Sequence, residues 1–305
     1  MEETLSITRR FGAPEPSFYP LDNIYTEATL TIPHTSRATY YRLSLPNLLC
    51  DADYCLYLDS DILVCGDVLD IFSAGILGED WYVAWVTSPS YCEPAKNERH
   101  RKTIGVSSLQ GYPNAGVILM NLAMMRKDQI QDRFMELLDE RLPMQDQDVI
   151  YKACQGLMRS LPPRFNALNA YELSPSEYLR PGSCLPLAYS REEWREACEN
   201  PVVIHFARKE KPWIDYSLGM ASLWWEYAFE AGLGKECFFR YFDDASVVWK
   251  RLREVMLDNM RLEKRIASLQ EKNEALVGMT QHGSAEAAAA KRPSMLRYLK
   301  RVVRK

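Results

Sequence analysis

The chain has 305 residues, of which 47% are hydrophobic, and a formal net charge of −4. That length supports one large domain with a core of its own, and the acidic balance argues against a nucleic-acid partner. The polar N-terminus lacks the apolar core of a signal peptide, and no run of about 18 apolar residues predicts a membrane span. The eight cysteines are scattered, without a CxxC pair, and predict reduced thiols in a cytosolic protein.

The first half of the chain is predicted to contain one helix and several short strands. Prolines punctuate the first forty residues, which are expected to form loop and short strand. "SRATYYRLSLPNLL" predicts a helix with Ser36 as its N-cap, ended or kinked at Pro46. Apolar runs flank Asp59-Ser60-Asp61, and "WYVAWV" (residues 81–86) is a buried-strand pattern. The polar stretch 87–111 is expected to be a long loop that acts as a lid or binding element.

The second half alternates strands with helices. "NAGVILMNL" (residues 114–122) predicts a strand, and "DQIQDRFMELLDERL" predicts a helix with Asp128 as its N-cap. "DQDVIYKACQG" predicts a further helix that stops at Gly156. The apolar run in "NPVVIHFAR" predicts a last buried strand with His205 at its end. This alternation indicates an α/β sheet.

The C-terminal part has a different pattern. Apolar residues recur every seven positions from Val248, which predicts a coiled coil or helical hairpin that would join copies of the chain into a homo-oligomer. The alternative is an amphipathic helix that lies on its own catalytic domain. We therefore expect a catalytic domain over 1–235, a helical region over 236–280, and a linker with a basic amphipathic tail over 281–305. The tail carries seven Lys and Arg and no acid from 291 to 305, which predicts binding to an anionic membrane surface.

The stretch "YLDSDILV" places two carboxylates where a predicted strand ends. In open α/β sheets ligands bind at that edge, and Ser60 points away from it, so that Asp59 and Asp61 can face one ligand. Two hard oxygen ligands suit Mg²⁺ or Mn²⁺, metals that are commonly shared with a diphosphate. His205 as a third ligand would favour manganese, and the Lys211 ammonium could contact phosphate oxygens. The alternatives are a solvated acidic turn and a structural histidine.

Four blocks of the sequence resemble glycosyltransferase family 8. They are, in chain order, "RATYYRLSLPNLL", "YLDSDILV", "NAGVILMNL" with "DQDVIYKA", and "HFARKEKPW", and they extend over about residues 20–220. The likeness is greatest to bacterial lipopolysaccharide galactosyl- and glucosyltransferases. The resemblance implies a GT-A fold with a C-terminal helical extension, a UDP-glucose or UDP-galactose donor, and transfer to a glycan or lipid-linked acceptor with retention of configuration. We expect a cytoplasmic enzyme, peripheral on the inner face of the cell membrane.

The resemblance also implies roles for residues of this chain. The matched metal ligands would hold Mn²⁺, or else Mg²⁺, against the donor diphosphate, and a matched lysine would contact that phosphate. Other matches would bind the donor, and an Asp-Gln pair would lie beside the donor sugar. The residues implied for the metal are Asp59, Asp61 and His205. The same three residues are implied for donor binding, together with Arg42, Ser60, Asn114, Ala115, Gly116 and Lys211. Asp146 and Gln147 are implied for catalysis.

The Gln147 amide is a poor covalent nucleophile because it has no carboxylate. The expected reaction is therefore front-face attack, in which the leaving phosphate helps to deprotonate the acceptor. Double displacement through a nearby carboxylate such as Asp146 stays open. The metal and Lys211 would stabilise the negative charge on the departing UDP. The alternative for Asp146 and Asp148 is capping of a helix N-terminus.

The chain departs from the family pattern at four places. No apolar strand leading into an acidic uridine-binding motif is visible before Pro33, so the chain is expected to lack its base-binding strand. Arg208 replaces a glycine between the His and the Lys of the last block, and would either intrude on the phosphate or add a contact to it. Thr87 and Pro113 replace an acidic and an aromatic residue, which removes one expected contact to a sugar hydroxyl.

Two other functions stay open at this point. One is a catalytically impaired GT-A-like binding or scaffold protein that assembles through its C-terminal helix. The other is a metal-dependent phosphohydrolase built on the two aspartates. Enzymes of that kind need more carboxylates and a clear nucleophile or metal-bound water.

Overall fold

The structure is a computed structural model of the chain. It describes residues 2–21, 24–32, 35–74, 80–168, 178–234, 237, 254–255 and 257–271. Contacts divide the chain into two compact units, Met1–Phe238 and Phe239–Lys305. Every candidate site residue lies in the first unit, which also contains both sheets.

Short strands and helices alternate through the first unit. The strands of its described part are β1 (Tyr54–Leu58), β2 (Ile62–Val64), β3 (Val83–Thr87), β4 (Pro113–Asn121), β5 (Met158–Leu161), β6 (Ala167–Leu168) and β7 (Val203–His205). The α-helices are α1 (Glu2–Arg10), α2 (Leu45–Leu48), α3 (Leu69–Ser73), α4 (Pro94–Ile104), α5 (Leu122–Lys127), α6 (Ile130–Leu137), α7 (Asp146–Ala153), α8 (Arg191–Glu199) and α9 (Ala221–Glu230). Short 3-10 helices cover Arg37–Ser44, Pro89–Tyr91, Leu138–Glu140, Pro163–Asn166 and Leu185–Leu187.

The strands form two mixed sheets. In the first, with strand order β1-β4-β3-β5, β4 is antiparallel to β1 and β3, and β5 is parallel to β3. In the second, with order β2-β7-β6, β7 is antiparallel to β2 and parallel to β6. The link from β1 to β2 is the Asp59-Ser60-Asp61 stretch, so these carboxylates lie where the chain passes from one sheet to the other.

The central strands β3 and β4 are buried on both faces. One face packs through residues such as Trp85 and Ile118 on a cluster that includes Phe134 of α6. The opposite face packs through Val86 and Leu119 in a second cluster. Burial of side chains of this size stabilises the fold by about 1.5–3 kcal/mol each. Because both faces are covered, the sequences of the two strands are continuous apolar runs. The buried part of β4 in turn gives rigid support to the polar residues at its N-terminal end.

The predicted α/β class is confirmed, and each apolar run that predicts a strand contains one. The prediction of loop and short strand near the N-terminus is wrong for α1. The prediction of one helix from Ser36 is also inexact, because a 3-10 helix comes first and is followed by α2. Pro46 lies in the first turn of α2 instead of ending a helix, and the Ser36 side chain makes no capping hydrogen bond.

Two further boundaries differ from the predictions. Asp128 is the C-cap of α5 and not the N-cap of α6, which follows Gln129 in a left-handed conformation with φ 52°. The stretch 87–111 is not a long loop, because it contains α4. The Glu93 carboxylate caps α4 by accepting hydrogen bonds from the backbone N–H groups of Ala95 and Lys96. Pro94 follows at the first helical position, where a proline costs no hydrogen bond.

In the second unit, the residues described between 254 and 271 are helical. Val255, Leu262 and Ile266 hold predicted heptad positions and expose 50%, 48% and 39% of their surface in the single chain. The heptad positions before 254 and after 271 lie outside the described residues, as do the predicted linker and the basic tail. No helix among the residues described above combines the length and apolar character that a bilayer span requires.

Candidate functional site

Asp59, Asp61 and His205 converge as the sequence predicts. One ligand atom from each lies within 4.8 Å of those of the other two. The β2–β7 register sets Ile62 opposite His205, and the Phe206 N–H donates to the Asp61 carbonyl at 2.9 Å. His205 Nε2 lies 3.2 Å from Asp61 Oδ1 and 3.8 Å from Asp59 Oδ2. Two carboxylates and an imidazole form a donor set that fits a divalent first-row metal.

The orientation of the His205 ring is fixed from its other side. Its Nδ1 lies 3.1 Å from Asn166 Oδ1, an acceptor, which favours a proton on Nδ1. Nε2 is the ring nitrogen that faces the carboxylates, and it is the atom that would bind a metal. Asn166 also donates from Nδ2 to Asn114 Oδ1 at 3.0 Å. Asn166 was not predicted from the sequence, because it lies on a 3-10 helix with no pattern that sets it apart from other loop amides.

Gly116 of β4 leaves the space that the His205 ring occupies. A Cβ at this position would lie 2.0 Å from His205 Cε1, well inside van der Waals contact. The requirement is one of space, since Gly116 does not have a positive φ. The predicted donor-binding turn at the start of β4 therefore also makes room for His205, the predicted metal ligand.

Lys211 lies against the same carboxylates. Its Nζ donates to Asp61 Oδ2 and to the Phe206 carbonyl, each at 2.6 Å. Burial raises the pKa of Asp61, but hydrogen bonds from His205 and Lys211 outweigh it and hold that pKa well below its ordinary value. Asp61 is therefore ionised at neutral pH, as a metal ligand must be.

Arg42 joins the predicted metal ligand Asp59 to Asp146 at the start of α7. It is buried, with 7% of its surface exposed. Its guanidinium donates to Asp59 at 2.8 Å and to the Ala115 carbonyl at 2.5 Å, and its Nε lies 3.1 Å from Asp146 Oδ2. Burial lowers the pKa of Arg42, but Asp146 and then Asp59 more than offset this, so that its pKa is raised. The cation is held 4.2 Å from the centre of the Tyr57 ring.

The predicted Asp-Gln pair is buried at the beginning of α7. Asp146 Oδ1 accepts a hydrogen bond of 2.5 Å from the Thr39 hydroxyl, so both of its oxygens have partners. Gln147 Oε1 accepts from the Ala115 N–H at 3.0 Å. The structure therefore gathers most of the predicted site residues around Asp59 and Asp61, namely Arg42, residues 114–116, residues 146–147, His205 and Lys211. Ser60 is the exception, because its side chain is exposed.

A buried group next to Gln147 was not predicted from the sequence. Asp148 is fully buried, and its carboxylate accepts from the Tyr112 hydroxyl at 2.5 Å and the Met144 N–H at 2.7 Å. His100 Nε2 lies 2.7 Å from the same carboxylate. His100 is buried on α4, a position that the predicted loop over 87–111 did not anticipate. Its position on α4 fixes Asp148, and with it the turn that presents Gln147.

A cavity of about 480 Å³ adjoins the site. Asn114, Gln147 and Asn166 belong to its wall, so it reaches the residues that surround the predicted donor sugar. Lys96 of α4 and Arg180 lie in other parts of the wall. The space thus extends from the Asp-Gln pair to a positively charged region.

The chain is similar in sequence, and for one solved structure in fold, to known proteins. The family model described as glycosyl transferase family 8 matches residues 6–217. The chain is 29% identical over 223 residues to general stress protein A of Bacillus subtilis, covering 70% of each protein. It is 24% identical to a lipopolysaccharide 1,2-glucosyltransferase of Escherichia coli K12, covering 69% of this chain and 60% of that one. The solved galactosyltransferase LgtC, in complex with donor and acceptor sugar analogues, aligns with a TM-score of 0.52 and 27% identity, covering 68% of this chain and 71% of LgtC.

Proposed function

The chain belongs to glycosyl transferase family 8, and we propose that it transfers glucose or galactose from a UDP-sugar to a glycan acceptor with retention of configuration. The observation that carries the proposal is the Asp59–Asp61–His205 cluster, in which Nε2 of His205 lies 3.2 Å from Asp61 and 3.8 Å from Asp59. The mixed α/β architecture is the GT-A fold of relatives such as LgtC. The names of the similar proteins support a lipopolysaccharide or another surface polysaccharide as the acceptor.

Asp59, Asp61 and His205 are proposed to hold the metal. The nitrogen ligand favours Mn²⁺ over Mg²⁺, because Mg²⁺ prefers oxygen ligands alone. When bound, the metal supplies positive charge to the donor diphosphate and so stabilises the leaving UDP. Lys211 would add a second cation on that side of the site, and Arg208, which follows on the exposed loop after β7, would add a contact to phosphate.

Asn114, Ala115, Gly116, Arg42 and Gln147 are proposed to surround the donor sugar. The Gln147 amide oxygen can support positive charge on the sugar, but it cannot form a stable glycosyl ester. The Asp146 carboxylate is held by Arg42 and Thr39, which favours an orienting role over that of nucleophile. The geometry thus supports front-face attack, and double displacement through Asp146 would require that carboxylate to leave both partners.

The acceptor is proposed to bind in the cavity beside Gln147. This is the side from which a hydroxyl group could approach the sugar carbon of a donor held by Asn114 and the metal ligands. Tyr91, Tyr189 and Trp194 contribute aromatic surface to the cavity wall, and aromatic rings provide the apolar surface on which the C–H groups of a sugar pack.

The remaining proposals concern assembly and location. The exposed apolar positions of the helix at 254–271 support a homo-oligomer formed through a coiled coil. The same stripe favours the second candidate function, a catalytically impaired scaffold that assembles through this helix. Binding of the basic tail to anionic lipid would place the enzyme at the cytoplasmic face of the membrane.

The experiment is to measure UDP release from UDP-glucose and UDP-galactose with Mn²⁺, with Mg²⁺ and with a chelator. We expect turnover with one of the donors, dependent on the metal, and an axial product detected by NMR. Asp61→Asn should lower turnover at least about a hundredfold. Asp67→Asn is the matched control, since Asp67 is exposed and bonds only the nearby Leu69 N–H.

The alternatives give different results in the same assay. Absence of both UDP release and metal-dependent UDP binding would contradict the transferase and favour the scaffold. Hydrolysis of a simple phosphate ester that is lost in Asp61→Asn would favour the phosphohydrolase.

A further inference from the structure

The wall of the cavity beside Gln147 is positively charged. Lys96 and Arg180 lie in it, and none of the described residues that line it is an aspartate or glutamate. Residues 169–177 are outside the described part of the chain. Protein sites for neutral sugars commonly place carboxylates against the hydroxyl groups, because ionised acceptors make the stronger hydrogen bonds. Arg180 makes an interaction of its own, so the positive charge that the wall offers to a ligand is that of Lys96. A cation in the wall of a cavity attracts a group of the opposite charge.

Lys96 is built into this wall. It lies in the first turn of α4, where it is half-buried. Its Nζ donates to the Ser90 hydroxyl at 3.0 Å and lies 4.0 Å from the centre of the Tyr91 ring. An ammonium has three donors, and the hydroxyl of Ser90 satisfies only one of them. Burial lowers the pKa of Lys96, which reflects the loss of water around the charge.

The other cations near the site differ from Lys96. Arg42 forms ion pairs with Asp59 and Asp146, and Lys211 with Asp61. On α4 itself, Lys102 forms an ion pair with Glu98. Lys96 pairs with no carboxylate in the part of the chain that the structure describes. Partial removal of water from an ammonium is unfavourable. The Glu93 carboxylate, which caps α4, offsets part of this cost by raising the pKa of Lys96, and a bound anion would offset more of it.

We propose that Lys96 binds an anionic group of the acceptor, either a phosphate or a carboxylate carried by its sugar. This inference rests on the proposed function, because it assigns the cavity to the acceptor. Lys96 holds the anion as a point charge. The aromatic residues of the same wall pack against the sugar ring, so the site selects a charged sugar over a neutral one.

The test is calorimetric titration of the full chain, without donor, with glucose 6-phosphate, glucose 1-phosphate, glucuronate, glucose and inorganic phosphate. We expect at least one charged sugar to bind about tenfold more tightly than glucose and than inorganic phosphate. Lys96→Gln should remove most of that preference. Lys102→Gln, on the same helix but outside the cavity wall, should leave it unchanged. A preference for the phosphates or for glucuronate identifies the anion.

Three results would overturn the proposal: equal binding of charged and neutral sugars, an unchanged preference in Lys96→Gln, or inorganic phosphate that binds as tightly as the charged sugars. Asp61→Asn separates this proposal from the proposed function, since it should abolish donor turnover and retain the binding of charged sugars. Donor turnover without the charge preference contradicts only the anionic acceptor. Charge preference without donor turnover contradicts only the transferase.

Discussion

The two halves of the site differ in how their charges are paired. On the metal side, Arg42 and Lys211 each contact the carboxylates of the metal ligands, and Arg42 also pairs with Asp146. On the cavity side, Lys96 contacts a hydroxyl and an aromatic ring. A network that satisfies its own charges is preorganised for chemistry and changes little when a ligand arrives. A cation that forms no ion pair within the protein can attract a charged ligand. The cavity side is therefore the better candidate for selecting the substrate.

The largest expected effect comes from removing the cation that holds the metal side together. Arg42→Met removes the cation that pairs with Asp59 and Asp146 and leaves each of them a single hydroxyl donor, Tyr57 and Thr39 respectively. Asp146 is 5% exposed. We expect the free energy of unfolding to fall by about 3–5 kcal/mol, since one partner of a buried ion pair is lost. Urea denaturation measures it. Adding Asp146→Asn to Arg42→Met should recover part of the loss, because the unpaired charge is then removed. Equal stability of the single and double variants would contradict the pairing of these two residues.

The next largest effect is expected on metal affinity, through the position of His205. Gly116→Ala places a methyl group 2.0 Å from His205 Cε1, so the ring must leave its position between Asn166 and the carboxylates. We expect Mn²⁺ affinity, measured by titration with EPR detection, to fall about 10–100-fold. Gly66→Ala is the control, because its new Cβ would lie 3.3 Å from a Val202 methyl group, a contact that a small shift relieves. Unchanged Mn²⁺ affinity in Gly116→Ala would exclude His205 as a ligand.

The metal side was also the part that the sequence predicts best. Asp59 and Asp61 follow an apolar strand, and His205 ends another, so the geometry of a sheet edge is enough to bring them together. Asn166 and Thr39 are equally close to the chemistry, but nothing in their local sequence marks them. Asn166 contacts a residue 39 positions away, and only the three-dimensional path of the chain creates that contact. Partners of this kind cannot be predicted from periodicity.

Two of the errors in the fold have a common physical cause, the position of prolines. Pro46 was predicted to end or kink a helix, and Pro94 was predicted to lie in a loop. Each lies instead in the first turn of a helix. A proline is favourable there because its nitrogen would have no partner in the helix. For α4 the signal was present, since Glu93 precedes Pro94 as a cap and Gly105 ends the helix in a left-handed conformation with φ 70°. The same misreading concealed both His100 and Lys96, the residues that α4 contributes to the site.

A smaller effect is expected at the boundary between the two halves. His100→Asn removes one partner of the buried Asp148 carboxylate and leaves the Tyr112 hydroxyl and the Met144 N–H in place. We expect the free energy of unfolding to fall by about 1–2 kcal/mol, because a charged acceptor is left partly unsatisfied. Since Asp148 fixes the turn that carries Gln147, donor turnover should fall while Mn²⁺ affinity is kept. A parallel loss of metal affinity would show that α4 supports the metal side as well.

The smallest effect on stability, and the sharpest test of the difference between the two halves, comes from placing a carboxylate directly beside the Lys96 ammonium. The Lys96 ammonium lies 3.0 Å from the hydroxyl of Ser90, which is exposed. Ser90→Asp should therefore form an ion pair worth at most about 1 kcal/mol, as is usual near a surface. The preference for charged sugars should nevertheless fall as far as in Lys96→Gln, because the cation is then neutralised within the protein. Ser90→Asn, with the same shape and no charge, should keep the preference. If both substitutions abolish it, the effect is steric, and the charge of Lys96 is not what selects the ligand.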